Sequence, residues 1–478
     1  MELEFFLEDR ERMKLSVLRY IEIKKDKNII LTELTSFIGI SELRIKKVMD
    51  ELNYELTQFE TNPKILNDGI IIRPINIDYS IVKRLRLEYF KKAPTFLLFK
   101  SFLEESMTVK EFSKKYYLAL PTIYVRQRLI KNFLSTYGIK IKNGRLVGNE
   151  ITLRNIIFSV YFEIYNGIEL PFSKLIVQQM KSLTKYLSFL FHLKLSKTET
   201  VKLDLLIGIL LCRLRNGFYL SEEEDYFYSL KKFSAIDRIV KKISDLLLIK
   251  ETKKGIREVR YLLGFLKSIG VEDISIHVKE IKFKDIDRTS RYISEKISSE
   301  LNLKEDRNKI NFEKNLINLN RNHKIFDFIL SSFNSDDQTN YFFEVYPNFS
   351  FAVAKALSIY KNDLRFGDKT LVNQLFFEYV FLLINDYPLA EVPVYVCVDF
   401  SLGKLYSNFI QNQIKGFKNL NIVLENRLTS KTDIFVSDSV IEALSIKQII
   451  WKRPPTPLDW EMFGDAVIDV KNNKSKRM

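Results

Sequence analysis

The sequence predicts a mostly helical, multidomain protein with two N-terminal winged helix–turn–helix domains, two helical bundles and a small C-terminal α/β domain with a parallel sheet. Three observations support this fold class. Glycine and proline number only 15 and 11 in 478 residues, which favours long helices over turn-rich β architectures. One pattern of helical spacing occurs twice, with the two copies 78 residues apart. Near the C-terminus, short β-branched segments alternate with a helical one, as in small α/β domains.

The repeated pattern has spacings of 7, 4, 7 and 4 residues. Residues 4, 7 and 11 apart return to one face of an α-helix, and the first 7-residue step accommodates a short helix and a tight turn. The first copy consists of Leu34, Ser41, Ile45, Leu52 and Leu56, and the second of Phe112, Ala119, Ile123, Ile130 and Leu134. The two copies therefore predict a pair of helix–turn–helix motifs.

The first motif is expected within residues 1–80. A helix over Glu11–Lys24 precedes it, Thr32 is expected to cap a short helix that ends at Gly39, and Ser41 to cap the next. The β-branched run 69–74 predicts a strand of a wing.

The second motif is expected within residues 81–154. A single helix is expected near 79–103, and Thr108 and Glu111 form a capping-box sequence before the next one. A further helix opens at Pro121. Residues 139–147 alternate around Asn143-Gly144, which predicts a β-hairpin and hence a basic wing.

Positive charge is concentrated on the second unit. Residues 81–154 contain 16 basic and 5 acidic residues, a net charge of +11, whereas residues 1–80 have a net charge of about −3. The whole chain has a formal charge of +15. Such a local excess is expected where a protein meets nucleic-acid phosphates, although a solvated helical surface can also be basic.

The candidate DNA contacts are the side chains that the helical pattern turns away from the core, together with the basic residues of the second wing. The start of a recognition helix usually reaches base edges, and long cations further along meet phosphates. The second unit supplies Thr122, Tyr124, Arg126, Arg128, Lys131, Lys140, Lys142 and Arg145, and the first unit supplies Arg44, Lys46 and Lys47.

The remaining chain divides into three expected domains. Amphipathic patterns predict helical bundles over 155–280 and 281–388, the second of which contains a linker around Lys304–Lys309. Residues 389–478 predict an α/β domain with strands near 392–398, 421–424, 433–437 and 448–451. The loop 399–404 follows its first strand, where such folds place ligand sites, but it lacks the glycine pattern of a phosphate loop.

Several classes of protein are excluded by composition. No apolar run is long enough to span a membrane, and the acidic N-terminus does not resemble a signal peptide. Two cysteines cannot form a disulfide framework or a structural zinc site, and no catalytic motif, metal site or cofactor site is evident. A cytoplasmic, non-enzymatic protein without a cofactor is expected.

Short motifs of the second unit are more specific than its spacing. They are Pro121-Thr122-Ile123-Tyr124 continuing to Phe133-Leu134, then Tyr137-Gly138-Ile139, and finally Leu146-Val147-Gly148-Asn149-Glu150. This order resembles the Ser-Thr-Leu-Tyr helix, the Phe-Gly-Ile turn and the Leu-x-Gly-x-Glu close of the Mga/AtxA family of regulators in Gram-positive bacteria. A weaker similarity joins Cys212-Arg213-Leu214-Arg215-Asn216-Gly217 to the arginine-containing helix end of a phosphotransferase-system regulatory domain.

The resemblance implies two winged helix–turn–helix domains, two regulatory helical domains and a C-terminal domain similar to enzyme IIB. It also implies transcriptional control, often of virulence or carbohydrate-linked genes, and a homodimer formed through the C-terminal half. A phosphocarrier protein of the phosphotransferase system is a further candidate partner.

The chain departs from this family at the phosphorylation sites. A histidine that some relatives carry aligns with Val201, and Cys397 lies within a strand instead of in the loop of the enzyme-IIB-like domain. His192 is expected to be buried in an apolar run, and His277 to lie on a surface without a partner. His323, with polar neighbours on both sides, is the remaining candidate for phosphorylation.

Three functions are compatible with these features. The leading one is a transcriptional regulator that binds double-stranded DNA. The alternatives are a phosphotransferase-system-linked sensor or phosphotransfer protein acting through protein–protein contacts, and an RNA-binding scaffold. Phosphotransfer needs an exposed nucleophilic histidine or cysteine, and RNA modules use aromatic platforms, so the sequence favours the regulator.

Overall fold

The computed structural model describes residues 3–24, 28–228, 234–247, 252–271, 276–303, 307–328, 336–358, 369–387, 391–442, 444–452 and 454–475. The chain forms two compact units. Met1–Lys279 and Ile325–Leu330 make up the first, and Glu280–Lys324 and Ser331–Met478 the second. The mostly helical, multidomain architecture with a C-terminal parallel sheet is confirmed.

The first helix–turn–helix unit consists of three helices and a three-stranded antiparallel sheet. Its elements are α1 (Asp9–Lys24), β1 (Ile29–Ile30), α2 (Leu31–Ile38), α3 (Glu42–Leu56), β2 (Lys64–Asn67) and β3 (Ile71–Ile75). The strand order is β1-β3-β2, so β2 and β3 form the wing. The expected cap at Thr32 is wrong, because α2 already begins at Leu31 and Ile30 occupies the cap position.

The second helix–turn–helix unit has one helix more than expected. Its elements are α4 (Tyr79–Lys92), α5 (Pro94–Glu104), α6 (Val109–Tyr116), α7 (Leu120–Ser135), β4 (Lys140–Lys142) and β5 (Arg145–Val147). The expected helix over 79–103 is broken in two. Proline disfavours helical geometry in the residue before it, and Ala93 is extended, with ψ 117°. The capping box of Thr108 and Glu111 is present.

The 78-residue repeat is confirmed in the fold. The helices α6 and α7 begin 78 residues after α2 and α3. Ser41 and Ala119 both occupy the helix N-cap, although neither side chain makes a capping hydrogen bond. The other eight residues of the pattern are buried. Gly39 and Tyr117, also 78 residues apart, both end their helix in the left-handed conformation.

The segment before α1 contributes to the core of the second helix–turn–helix unit. Phe6 is fully buried, and its ring lies 5.4 to 6.4 Å from those of Phe90, Phe96, Phe99 and Phe133. Aromatic pairs at this separation add to the stability gained from burial. The two helix–turn–helix units are thus joined at this segment as well as through the chain between them.

The remainder of the first compact unit is mainly helical and contains one pair of short strands. Its elements are α8 (Glu150–Tyr165), α9 (Lys174–Phe191), α10 (Lys197–Arg215), β6 (Phe227–Tyr228), α11 (Ser234–Leu247), α12 (Thr252–Ser268) and β7 (His277–Val278), with β6 and β7 antiparallel. Residues 325–328 return to this unit. The ring of Phe326 packs against Tyr261 and Phe265, and that of Phe328 against Phe158.

The second compact unit begins with a helical bundle. Its helices are α13 (Lys284–Glu300), α14 (Arg307–Ile325), α15 (Asp336–Val345), α16 (Pro347–Leu357) and α17 (Lys369–Asp386). Their shared core includes Ile293, Phe312, Phe349 and Tyr379. Residues 304–306 of the expected linker at 304–309 lie outside the described residues, and the expectation is wrong for 307–309, which form the start of α14.

The C-terminal part is the expected α/β domain. Its elements are β8 (Val394–Val398), α18 (Lys404–Ile414), β9 (Ile422–Glu425), β10 (Ile434–Ser437), β11 (Lys447–Ile450) and α19 (Pro457–Ser475). All strand pairs are parallel, and the strand order is β11-β10-β8-β9. The last helix, α19, covers a sheet face through Phe463 and Val467 and is not anticipated by the sequence pattern.

Candidate nucleic-acid interface

The outer face of α7 is defined by the side chains that anchor its inner face. Ile123, Ile130 and Leu134 are buried. Since successive residues are rotated by about 100°, the opposite direction is occupied by Val125, Arg128 and Asn132. All three are exposed, as are their neighbours along the same face, Pro121, Thr122, Tyr124 and Lys131.

The second wing places its basic residues at the surface. Lys140, Lys142 and Arg145 are exposed on β4 and β5, which are joined at Asn143 and Gly144 with φ of 49° and 74°. Two successive left-handed residues fit the tight turn that matches strand twist. The turn is also packed, because a Cβ on Gly144 would lie 2.4 Å from the carbonyl oxygen of Met107.

The basic side chains of this face are available to a ligand. Within the described ranges, no residue forms an ion pair or a side-chain hydrogen bond with Arg128, Lys131, Lys140, Lys142 or Arg145. An unpaired surface cation can bind phosphate without first giving up a protein partner.

Arg126 is placed differently from its neighbours. Its side chain is only 17% exposed and forms an ion pair with Glu8. Its Nη1 also donates to Thr95 Oγ1 at 3.1 Å. The side chain therefore lies at the inner edge of α7, where it links the recognition helix to the N-terminal segment and to α5.

The first unit offers a weaker cationic face. Arg44 and Lys47 are exposed on α3, and Lys46 is half-buried. Its wing contributes Arg73, which already pairs with Asp68 at 3.5 Å.

A buried ionic network lies directly behind the second wing. Arg213 on α10 donates from Nη2 to Glu150 Oε2 at 2.8 Å and to the carbonyl oxygen of Leu146, on β5, at 3.1 Å. Glu150 also accepts from Arg154 at 2.9 Å, and Arg154 forms two hydrogen bonds with Glu258 on α12. The four charged side chains are at most 6% exposed.

The charges of this network compensate one another. Burial raises the pKa of Glu150, but Arg154 and Arg213 outweigh it, so that this pKa lies below its ordinary value. Glu150 and Arg213 come from two separate motifs of the sequence, and the structure brings them into contact. Glu258 had no sequence signal, because only the fold brings α12 to this position.

The three histidines considered as phosphorylation sites differ in their exposure and contacts. The expectation that His192 is buried is wrong: it is exposed at the C-terminal end of α9, with φ 48°. His277 is half-buried on β7, opposite Tyr228. His323 is 14% exposed, and its Nε2 lies 2.5 Å from Glu378 Oε2. Phosphorylation of His323 at Nε2 would require this contact to break.

The C-terminal domain has no exposed cysteine in its loop. Cys397 is buried in β8, and burial raises the pKa of its thiol to about 11, which disfavours the nucleophilic thiolate at neutral pH. In the loop after β8, the backbone N–H of Ser401 donates to Asp438 Oδ1 at 3.0 Å, and its hydroxyl contacts the same carboxylate. A protein carboxylate therefore already uses this backbone donor.

None of the helices, over the residues that the structure describes, is both long and apolar enough to cross a membrane.

Comparison with known proteins agrees with the geometry of the second unit. Residues 79–162 match the Mga helix-turn-helix domain, which covers α4 to α7, the second wing and most of α8. The chain is also similar to the capsule synthesis positive regulator AcpB of Bacillus anthracis, with 27% identity over 146 residues. This alignment covers 29% of the chain and 30% of the relative, so it spans less than a third of either protein. The resemblance to the Mga/AtxA family seen in the sequence is thereby confirmed, and it lies in the second helix–turn–helix unit, where residues 79–162 match the helix-turn-helix domain of that family.

Proposed function

We propose that this protein is a non-enzymatic transcriptional activator that binds duplex DNA through both helix–turn–helix units, with the second unit dominating the affinity. The observation that carries the proposal is the set of unpaired cations on α7 and its wing, located in the domain that matches the Mga helix-turn-helix model. The positive regulator AcpB, to which the chain is similar, favours activation over repression.

Electrostatics explains why these residues would bind DNA. Each cation that neutralises a phosphate releases a condensed counterion, so affinity falls as the salt concentration rises. Arg128 and Lys131 lie on the exposed side of α7, and Lys140, Lys142 and Arg145 on the wing. In winged helix–turn–helix complexes the recognition helix enters the major groove while flanking cations contact the backbone.

The test is a salt titration of the full-length protein with a labelled duplex selected by that protein from a random pool. The double variant Arg128→Ala/Lys131→Ala is expected to bind more weakly at every sequence. If each residue contacts one phosphate, the slope of log affinity against log salt decreases by about 1.8.

The matched control is Lys181→Ala/Lys185→Ala, which removes two exposed positive charges from α9. It should leave both affinity and slope nearly unchanged. Equal losses in the two double variants would mean that net charge alone, and not the α7 face, governs binding.

We also propose that the protein is a homodimer formed through the C-terminal α/β domain, the part of the chain for which the family resemblance implies an enzyme-IIB-like fold. Leu402, in the loop before α18, is 74% exposed, and Leu405 and Phe409 on α18 are 88% and 51% exposed. Clustered apolar side chains at a surface favour association. Leu405→Glu/Phe409→Glu should give a monomer in light scattering, and a dimer that persists would place the interface elsewhere.

Control by a phosphocarrier protein is a separate proposal. Incubation with phosphoenolpyruvate, enzyme I and the phosphocarrier protein, followed by mass spectrometry, tests it directly. Phosphate on His323 would support the site suggested by its polar sequence. Phosphate on the exposed His192 instead would contradict His323 as the site and would place phosphorylation at the end of α9.

A further inference from the structure

We propose that α7 recognises thymine through its 5-methyl group and that Val125 is the side chain that contacts it. This inference rests on the proposed DNA-binding function and adds a specificity-determining residue to it. Val125 is 63% exposed at the middle of the outer face of α7, and it has no polar or charged group that would mark it in the sequence as a DNA contact.

The position of Val125 follows from how the helix is anchored. Ile123 and Ile130 fix one side against the core, and Arg126 is held at the inner edge by Glu8 and Thr95. Arg126 is therefore not directed towards a ligand. The exposed side chains of the first two turns, the part of a recognition helix that reaches base edges, include Pro121, Thr122, Tyr124 and Val125, and Val125 is a branched aliphatic side chain among them.

The surroundings of Val125 indicate what its partner is. Arg128 and Lys131 follow it on the same exposed side, and the wing adds three further unpaired cations. A membrane core or a purely apolar protein surface would not match this arrangement. The major groove of DNA does, because phosphates line its borders and each thymine presents one apolar methyl group on its floor.

The neighbouring residues support the same assignment. Tyr124 and Leu129 are 51% and 41% exposed on either side of Val125, so an apolar strip crosses a strongly cationic face. A valine that is exposed in the free protein loses contact with water only when a ligand covers it, and burying one methyl group is worth about a fourfold change in affinity, or about 0.8 kcal/mol.

The experiment replaces each thymine of the selected duplex, one at a time, with deoxyuridine. This change removes the 5-methyl group and leaves base pairing and the hydrogen-bonding edge intact. The wild-type protein should lose about fourfold in affinity at one thymine or a few. Val125→Ala should bind the thymine duplex more weakly and show no further loss at those same positions.

The matched control is Val440→Ala, which removes the same atoms from a valine that is 66% exposed in the C-terminal domain. This variant should retain the wild-type response to deoxyuridine. Circular dichroism is expected to show unchanged helix content for both variants, since neither valine is buried.

Three results would overturn the inference. The first is that no thymine position affects wild-type binding; the second is that Val125→Ala remains sensitive at the same position. The third is that Val125→Ala changes the oligomeric state and leaves base discrimination intact, which would assign the strip to a protein contact. Failure of the proposed function is distinguishable, because the wild-type protein would then show no salt-dependent binding to any duplex.

Discussion

The two helix–turn–helix units share a backbone plan and differ in how their wings are supported. In the first, Asn53 on α3 holds β2 through two hydrogen bonds with the backbone of Ile65, at 2.7 and 2.9 Å. In the second, Arg213 from outside the motif binds the carbonyl oxygen of Leu146 on β5 at 3.1 Å. The first wing is thus held by α3 of its own unit, and the second is contacted by α10 from outside its motif.

The two units therefore share a fold but differ in their charge and in the contacts that support their wings. The unit with the net positive charge is also the one whose wing accepts a hydrogen bond from Arg213 on α10, and buried ion pairs join that arginine and α12 to α8. A rearrangement of α10 would change the hydrogen bond that Arg213 donates to the carbonyl oxygen of Leu146 on β5. We therefore expect the second unit to be the one through which the helical domain influences DNA binding.

The largest expected effect follows from Arg213→Ala. Removing one partner from a buried ionic network leaves uncompensated charge, and losses of about 3–5 kcal/mol in unfolding free energy are typical. Arg215→Ala is the matched control, because Arg215 is exposed at the end of the same helix. Urea unfolding followed by circular dichroism provides the measurement.

Tryptophan fluorescence gives that experiment an internal reference. Both tryptophans of the chain, Trp451 and Trp460, lie in the C-terminal domain, so their signal reports the second compact unit. The unfolding midpoint from circular dichroism should fall for Arg213→Ala while the fluorescence midpoint stays in place. Equal midpoints for Arg213→Ala and Arg215→Ala would show that the wing does not depend on the network.

The second-largest expected effect is a loss of unfolding free energy that differs between the two wing turns. Gly144→Ala should lower the unfolding free energy by about 2–4 kcal/mol, because the new Cβ meets Met107 and φ is 74°. Gly69→Ala, at φ 100° with open space around it, should cost only the conformational strain, about 1–2 kcal/mol. A Gly69→Ala variant as destabilised as Gly144→Ala would remove the distinction between a packed and an open wing turn.

A third prediction ranks the two recognition helices. Arg44→Ala/Lys47→Ala should weaken binding to the selected duplex less than Arg128→Ala/Lys131→Ala does, because residues 1–80 have a net charge of about −3. Fluorescence anisotropy at one salt concentration measures both. A larger loss from the first pair would reverse the order of the two units.

The smallest expected effect concerns Tyr117, which ends α6 in the left-handed conformation that Gly39 adopts at the end of α2. Tyr117 has φ 53° and a side chain that is 95% exposed, so Tyr117→Gly relieves left-handed strain without removing packing. We expect a gain of about 0.5–1 kcal/mol in unfolding free energy after the entropy cost of glycine. A fall in DNA affinity together with a rise in stability would indicate that the Tyr117 side chain contacts DNA. A loss of stability would contradict the prediction that Tyr117 is held in a strained backbone conformation.

The candidate site could be predicted from sequence only in part. The spacing around Ile123 and Ile130 correctly places Arg128 and Lys131 outside, because helical periodicity is a local property. The sequence pattern groups Arg126 with them, but this side chain instead forms an ion pair with Glu8, in a segment 118 residues away. No periodic pattern encodes such a contact.

By itself, the sequence determined the two helix–turn–helix motifs, the Asn143-Gly144 hairpin and the parallel C-terminal sheet. These features follow from local spacing, turn chemistry and β-branched runs, which act over a few residues. Tertiary structure alone decided that Phe6 completes the core of the second unit and that Glu258 and Arg154 meet behind its wing. Those choices depend on which apolar faces pack together, and a buried guanidinium takes whichever carboxylate that packing brings within reach.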